Sequence, residues 1–290
     1  MITTRASGDR NRARRRLGNG RRPSAVSWPM KERQETAPAA APRSARRWTR
    51  PLRRTGLVVV GLVATYVAVT LHPQPLFAHT TQRANVVLHA RAAFPAEVEP
   101  LLTEVVRRIS ASPLYDPRRI HDVFLCDTPA LFTFFVPIHH RVGGVSRWFL
   151  GGDIFIRPFD IVRGTVTGPS GVVKGGERTL AYFIAHELTH SMTAAHVGRW
   201  RYRDLAAFQV EGYADYVALH RPVDFDAGRA AIRRDDPEMD PSRSGLYKRY
   251  ELLVAHLLEH RGLSVDDLVA RRLDRKTVEA DLLDARAAPL

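Results

Sequence analysis

The strongest hydrophobic signal in the chain is Thr55 to Leu71 (TGLVVVGLVATYVAVTL), seventeen residues without a charge. Arg50, Arg53 and Arg54 stand directly before it, and His72-Pro73-Gln74-Pro75 closes it. A spanning helix needs about 20 apolar residues, with a range near 17–25, so the run predicts one transmembrane helix at the short end of that range. Basic residues on its N-terminal side predict a signal-anchor whose N-terminus stays in the cytoplasm. The competing expectation is a signal sequence cleaved near Ala78, although Leu76 fits an A-x-A site poorly. Either way, residues after about 72 lie outside the cytoplasm.

Beyond a short linker at 72–82, the pattern becomes that of a globular domain over 83–290, long enough for one sizeable core. Leu101, Leu102, Val105, Val106 and Ile109 recur at helical spacing and predict a helix over 96–112. The apolar runs 122–126 and 153–157 predict short strands, with Gly143-Gly144 and Gly151-Gly152 marking turns around them. Gly175-Gly176 precedes a helix around 178–195 that is apolar nearly all round, which is the mark of a buried helix. Further helices are expected from Phe208 to Leu219, over 246–259 and over 265–271. A small sheet followed by helices predicts an α+β domain with its site between sheet edge and helix.

Charge changes the picture less than its total suggests. The net charge is +14, but residues 1–54 hold 16 Lys or Arg against Asp9, Glu32 and Glu35. The remainder is close to neutral. The tail is rich in Pro, Ala and Ser with few large apolar residues, so it is expected to be disordered and to act in topology. No nucleic acid partner is expected.

The chemistry sits inside the buried helix. His186-Glu187-Leu188-Thr189-His190 is an H-E-x-x-H run. One helical turn brings His186 and His190 over one another, so both imidazoles can reach one ion. Glu187, on the neighbouring edge of that face, can take a proton from a water activated by the metal. Buried charge without a partner is costly, which favours a metal site over a core helix whose histidines bond only backbone or water. A catalytic zinc usually takes three protein ligands and keeps one position open. Two candidates compete for the third place. Glu211 opens the 208–219 helix, with Asp215 one turn later on the same face, placed to accept the free N–H of a ligating imidazole. His196 is the rival, but a metzincin pattern needs glycine where Thr193 stands, and on a continuous helix His196 points away from His190. Nothing around Met239 asks for a Met-turn role.

His186–His190 followed by Glu211-Gly212-Tyr213-Ala214-Asp215 resembles the gluzincin metallopeptidases, the thermolysin-like clan. The match covers roughly residues 177–220, and no G-x-M-E-N segment lies upstream. The resemblance implies a minimal, single-domain zincin-like fold, one zinc ion per chain on His186, His190 and Glu211, Glu187 as general base, and Asp215 bracing a histidine. It also implies a tyrosine donor to the oxyanion, for which Tyr247 and Tyr250 are the candidates. An edge strand that captures extended peptide or protein substrate is implied as well, assigned here to Ile154, Phe155 and Ile156. The expected activity is peptide-bond hydrolysis at the membrane; a catalytically inactive zinc-bearing domain that binds peptide or protein is the alternative. The lone Cys126 reads as a small buried hydrophobe. His139-His140 read as loop histidines, and His256 and His260 as ordinary helix residues.

Overall fold

The computed structural model describes residues 45–139, 142–168, 171, 173–174 and 176–284. The expected tail therefore lies almost wholly outside the described residues, as does His140. Contacts divide the chain into two units, 1–56 and 57–290. A long helix, α1, runs Ala45–Leu71. Its Arg54–Leu71 stretch is apolar enough to cross a membrane, and none of that stretch is buried.

The second unit is a mixed α+β domain. After α1 come β1 (His79–Arg83), β2 (Val86–Ala90), α2 (Val98–Ser110), β3 (His121–Leu125), α3 (Pro129–Phe135), β4 (Gly144–Ser146) and β5 (Ile154–Ile156). The five strands form one sheet in the order β1-β2-β3-β5-β4, with β2, β3 and β5 parallel and the two outer strands antiparallel. A small antiparallel sheet follows: β6 (Phe159–Asp160), β7 (Thr165–Thr167) and β8 (Val173–Lys174). The rest is helical: α4 (Leu180–Val197), α5 (Arg199–Asp204), α6 (Ala207–Leu219), α7 (Phe225–Arg233), α8 (Pro241–Ser244), α9 (Lys248–Ala255), α10 (Val265–Ala270) and α11 (Arg275–Asp284). A π-helical turn, His256–His260, continues α9.

The central strands read as unbroken apolar runs because both of their faces are buried. Val123, Leu125, Ile154 and Ile156 face the main core with α2, α4 and α6. Phe124, Cys126 and Phe155 alternate to the other face and join Phe77, Phe132 and Phe135 in a second cluster. There the Cys126 thiol is pushed up to about 12 by burial, which makes it inert as a nucleophile.

Three expectations need correction. Residues 72–82 are not a free linker: Phe77 is packed in the second cluster, and β1 pairs with β2 along its length. Ile154, Phe155 and Ile156 are not an edge either. They are fully buried and paired on both sides, with β3 and with β4. The neighbouring edge strand is β4, which begins at Gly144, so Gly143-Gly144 mark a close approach rather than a turn. A Cβ on Gly143 would meet the Phe183 ring, and one on Gly144 would come 2.8 Å from Glu187 Cγ. The pair lets β4 lie directly against α4.

Gly212 does the same between α6 and α9. A Cβ there would stand 2.4 Å from the Tyr250 carbonyl oxygen, a backbone atom that cannot swing aside. Gly212→Ala is therefore expected to lower stability by about 1–3 kcal/mol, the cost of overpacking, read as a fall in denaturant midpoint. On the same α9 face, Glu251 is buried beside Arg221, 3.2 Å away. Burial pushes its carboxyl up to about 7 against the pull of Arg221, above the ordinary value of 4.5. The folded chain thus holds that proton more tightly than the unfolded one. The resulting stabilisation is complete below about pH 4.5 and is lost as pH rises through 7. Melting curves of Glu251→Gln and the parent across that window should show the parent losing ground to the variant as pH rises.

Candidate metal centre

Helix α4 is set by its ends. The Thr179 side chain caps it by accepting from Tyr182 N–H, 3.2 Å away, and Gly198, at φ +82°, stops it. Between them every residue from Leu180 to Ala194 is buried, including His186, Glu187 and His190. A buried polar side chain must find a partner, and each of these finds one on a different element.

His186 Nε2 and His190 Nε2 lie 3.1 Å apart. Glu211 Oε2, from the second turn of α6, is 3.4 Å from the first and 3.7 Å from the second. Around an ion with ligands at 2.0–2.1 Å, tetrahedral geometry separates neighbouring ligand atoms by about 3.3–3.4 Å. The three atoms thus form one face of a tetrahedron, and the residues fit a metal ion with an open fourth position. Among the described residues, this is the cluster of three His, Cys, Asp or Glu side chains whose ligand atoms converge within 4.8 Å.

The outer contacts fix the ligands. His186 Nδ1 sits 2.8 Å from Asp215 Oδ1, a short contact though not an aligned hydrogen bond, and that side leaves Nε2 for the ion. Tyr182 donates its hydroxyl to the same Asp215 oxygen at 2.5 Å, and Arg178 lies 3.4 Å from the other. His190 Nδ1 meets the Tyr202 hydroxyl at 2.8 Å, so an Nδ1–H donor there frees its Nε2 as well. Glu187 Oε2 accepts from the Ser146 backbone N–H of β4 at 2.8 Å.

Electrostatics follow from burial and these partners. Burial alone would depress His186, but Asp215 and Glu211 outweigh it and hold the imidazole up at about 10. Burial pushes His190 down to about 4, against the pull of Glu211. Burial would raise Glu211, yet the two histidines and Tyr247 bring it down to about 2. Burial lifts Glu187 to about 7, opposed by His186 and the Ser146 N–H. A carboxylate poised near neutrality, beside an open metal position, is suited to moving a proton.

The cavity in front of these groups has a volume of about 630 Å³, and Gly144, Val145 and Ser146 of β4 line it with Arg178, Tyr202 and Tyr247. His186, His190, Glu187, Glu211 and Asp215 are thus brought together. Tyr247 also reaches the site: it lines the cavity, stacks on His186 and helps hold the Glu211 carboxyl down. Tyr250 does not line the cavity; it stacks behind Tyr247, and its carbonyl abuts Gly212. His196 is excluded. The helix runs on through Thr193, and His196 instead contacts Asp266 at 2.7 Å near the surface. His256 pairs with Asp281 at 2.9 Å, away from the metal cluster. His139 lines the cavity rim without joining the ligands.

Tyr202, Tyr182, Arg178 and the Ser146 N–H escaped the sequence reading. Tyr182 stands one turn before His186, so helical spacing held a signal for it. Tyr202 held none, because only the reversal at Gly198 carries α5 back over His190. Compared with protein-family models, with curated proteins and with solved structures, the chain matches none.

Elemental analysis of the purified chain is expected to find about one metal ion per chain, lost in Glu211→Ala and kept in His196→Ala. Tyr202→Phe should retain the fold while weakening metal affinity on the order of 10–100-fold, as loss of an outer contact to a ligand does. A metal-free parent, or metal retained by Glu211→Ala, overturns the ligand assignment.

Proposed function

We propose that the chain is a membrane-anchored zinc-dependent peptidase of the gluzincin type, built on a minimal zincin-like domain. The observation that carries this reading is the tetrahedral face of His186, His190 and Glu211 with Glu187 held beside it by the edge strand β4. Two imidazoles and one carboxylate with an open position are a zinc hydrolase donor set. Bound there, zinc would polarise a scissile carbonyl and acidify a water.

The chain's own residues supply the rest. Glu187 takes a proton from the attacking water and delivers it to the leaving amine. Asp215 and Tyr202 hold the two imidazoles in orientation. β4 has one edge hydrogen-bonded to β5 and lines the cavity with its other side, so an extended peptide can add to it as a further strand. This role passes to Gly144–Ser146 from the buried Ile154–Ile156. Tyr247 is the candidate donor to the oxyanion from the opposite wall. A purely binding domain has no use for a buried glutamate placed next to the ligands, which favours the enzyme.

The proposed topology is a single pass through Arg54–Leu71, N-terminus cytoplasmic and domain outside. Packing of Phe77 against Phe124 and Phe135 supports an uncleaved anchor, since a cut after Ala78 would strip that ring from the core.

Glu187→Gln is expected to lower turnover of a degenerate fluorogenic peptide library on the order of 10²–10⁴-fold, with metal content unchanged. Removing residues 1–50 should leave that cleavage rate as it is. Activity that survives Glu187→Gln sinks the mechanism.

A further inference from the structure

The ten residues from Pro129 to Ile138 (PALFTFFVPI) contain no charge. They form α3 and the turn after it. Thr128 caps the helix, Pro129 opens it, and Phe132 and Phe135 pack into the second cluster. The other face turns outward, leaving Phe134 38 % and Ile138 83 % exposed. The segment thus offers the surface an apolar face without a charge.

Its neighbour is the end of the apolar helix. The Tyr66 ring meets Phe134 edge-on with centroids 5.1 Å apart, and its hydroxyl donates to the Phe134 carbonyl oxygen at 3.0 Å. Val69 packs on the same cluster, and Arg147 donates to the Thr70 carbonyl oxygen. Tyr66 precedes Leu71 by five residues, about 7.5 Å along a helix axis. A helix that spans a bilayer up to Leu71 therefore carries the Phe134 contact below the lipid surface, at the depth of about 5–10 Å where interfacial helices lie. The amphipathic ring of Tyr66 is of the kind that sits at that boundary.

We infer that residues 129–138 are a bilayer-docking face, whose partner is the lipid surface of the membrane that α1 crosses. Phe134 and Ile138 insert at the headgroup–acyl boundary, so the domain is held against the membrane by a second contact besides its anchor. His139 and Val142, just beyond this segment, line the metal cavity. Docking brings the cavity rim to the lipid, and the chains within its reach are those held close to the membrane. The inference rests on the spanning reading of Arg54–Leu71 and is independent of peptidase activity.

The test uses the full chain in phosphatidylcholine nanodiscs, with a bimane label on Ile138→Cys or on Lys276→Cys. Cys126 is buried, so labelling goes to the introduced thiol, and labelled parent sets the background. Lys276 lies on α11, separated from α3 by the sheet and by α4, α6 and α9. Lipid carrying a doxyl quencher near the headgroup is expected to quench the Ile138 label about threefold or more over the Lys276 label. Equal quenching at both positions overturns the docking face. A label at Ile138 shielded from both doxyl lipid and aqueous iodide also overturns it, because protein then covers the segment. A chain that does not stay in the disc overturns the spanning reading and the inference with it. Peptide hydrolysis by the same discs is read separately, and its absence with quenching intact counts against the peptidase reading alone.

Discussion

Burial of α4 from Leu180 to Ala194 is the constraint from which the arrangement follows. A helix that carries two imidazoles and a carboxylate into the core would be costly unless each group were answered there. Asp215 answers His186, Tyr202 answers His190, the Ser146 N–H answers Glu187, and Glu211 faces both imidazole Nε2 atoms. The partners come from α6, α5 and β4, so satisfying one helix dictates where three other elements must lie. Glycine makes the approaches close enough: Gly144 lets the strand reach Glu187, and Gly212 lets α9 press on the back of α6. A Cβ at Gly144 would meet the Glu187 and Ile156 side chains and one at Gly212 the Tyr250 backbone, so each glycine is a packing requirement with a chemical result.

The sheet separates two kinds of work. One face supports α4 through Val123, Leu125, Ile154 and Ile156. The opposite face, through Phe124 and Phe155, carries the cluster that receives Phe77, α3 and the end of α1. Alternation along two strands thus joins the candidate site to the apolar helix across a single layer, and the rim of the site lies just past the segment that contacts that helix.

Much of this was legible along the chain. The periodicity of Leu101 to Ile109, the unbroken apolar strands and the short interval between His186, His190 and their glutamate each report a local rule. Helical spacing or strand alternation alone predicts which residues share a face. The misreadings fall where a rule stops being local. Ile154–Ile156 looked like an edge because sequence order put that run before the metal helix, whereas β4 takes the outer position through antiparallel pairing. Tyr250 looked equivalent to Tyr247, yet its ring stacks behind Tyr247 and does not line the cavity.

By itself the sequence determined that a buried helix carries His186, Glu187 and His190 on one side, that Glu211 and Asp215 share a face one turn apart, and that a charge-free run sits behind a basic tail. Helical spacing and the cost of buried charge suffice for those statements. Tertiary structure decided that Glu211 rather than His196 meets the histidines, that Tyr202 braces His190, and that β4 forms the edge beside Glu187. Those outcomes depend on chain reversal at Gly198, on strand order and on backbone approach at Gly144. Each is a contact between residues distant in sequence, and no local pattern encodes the distance between them.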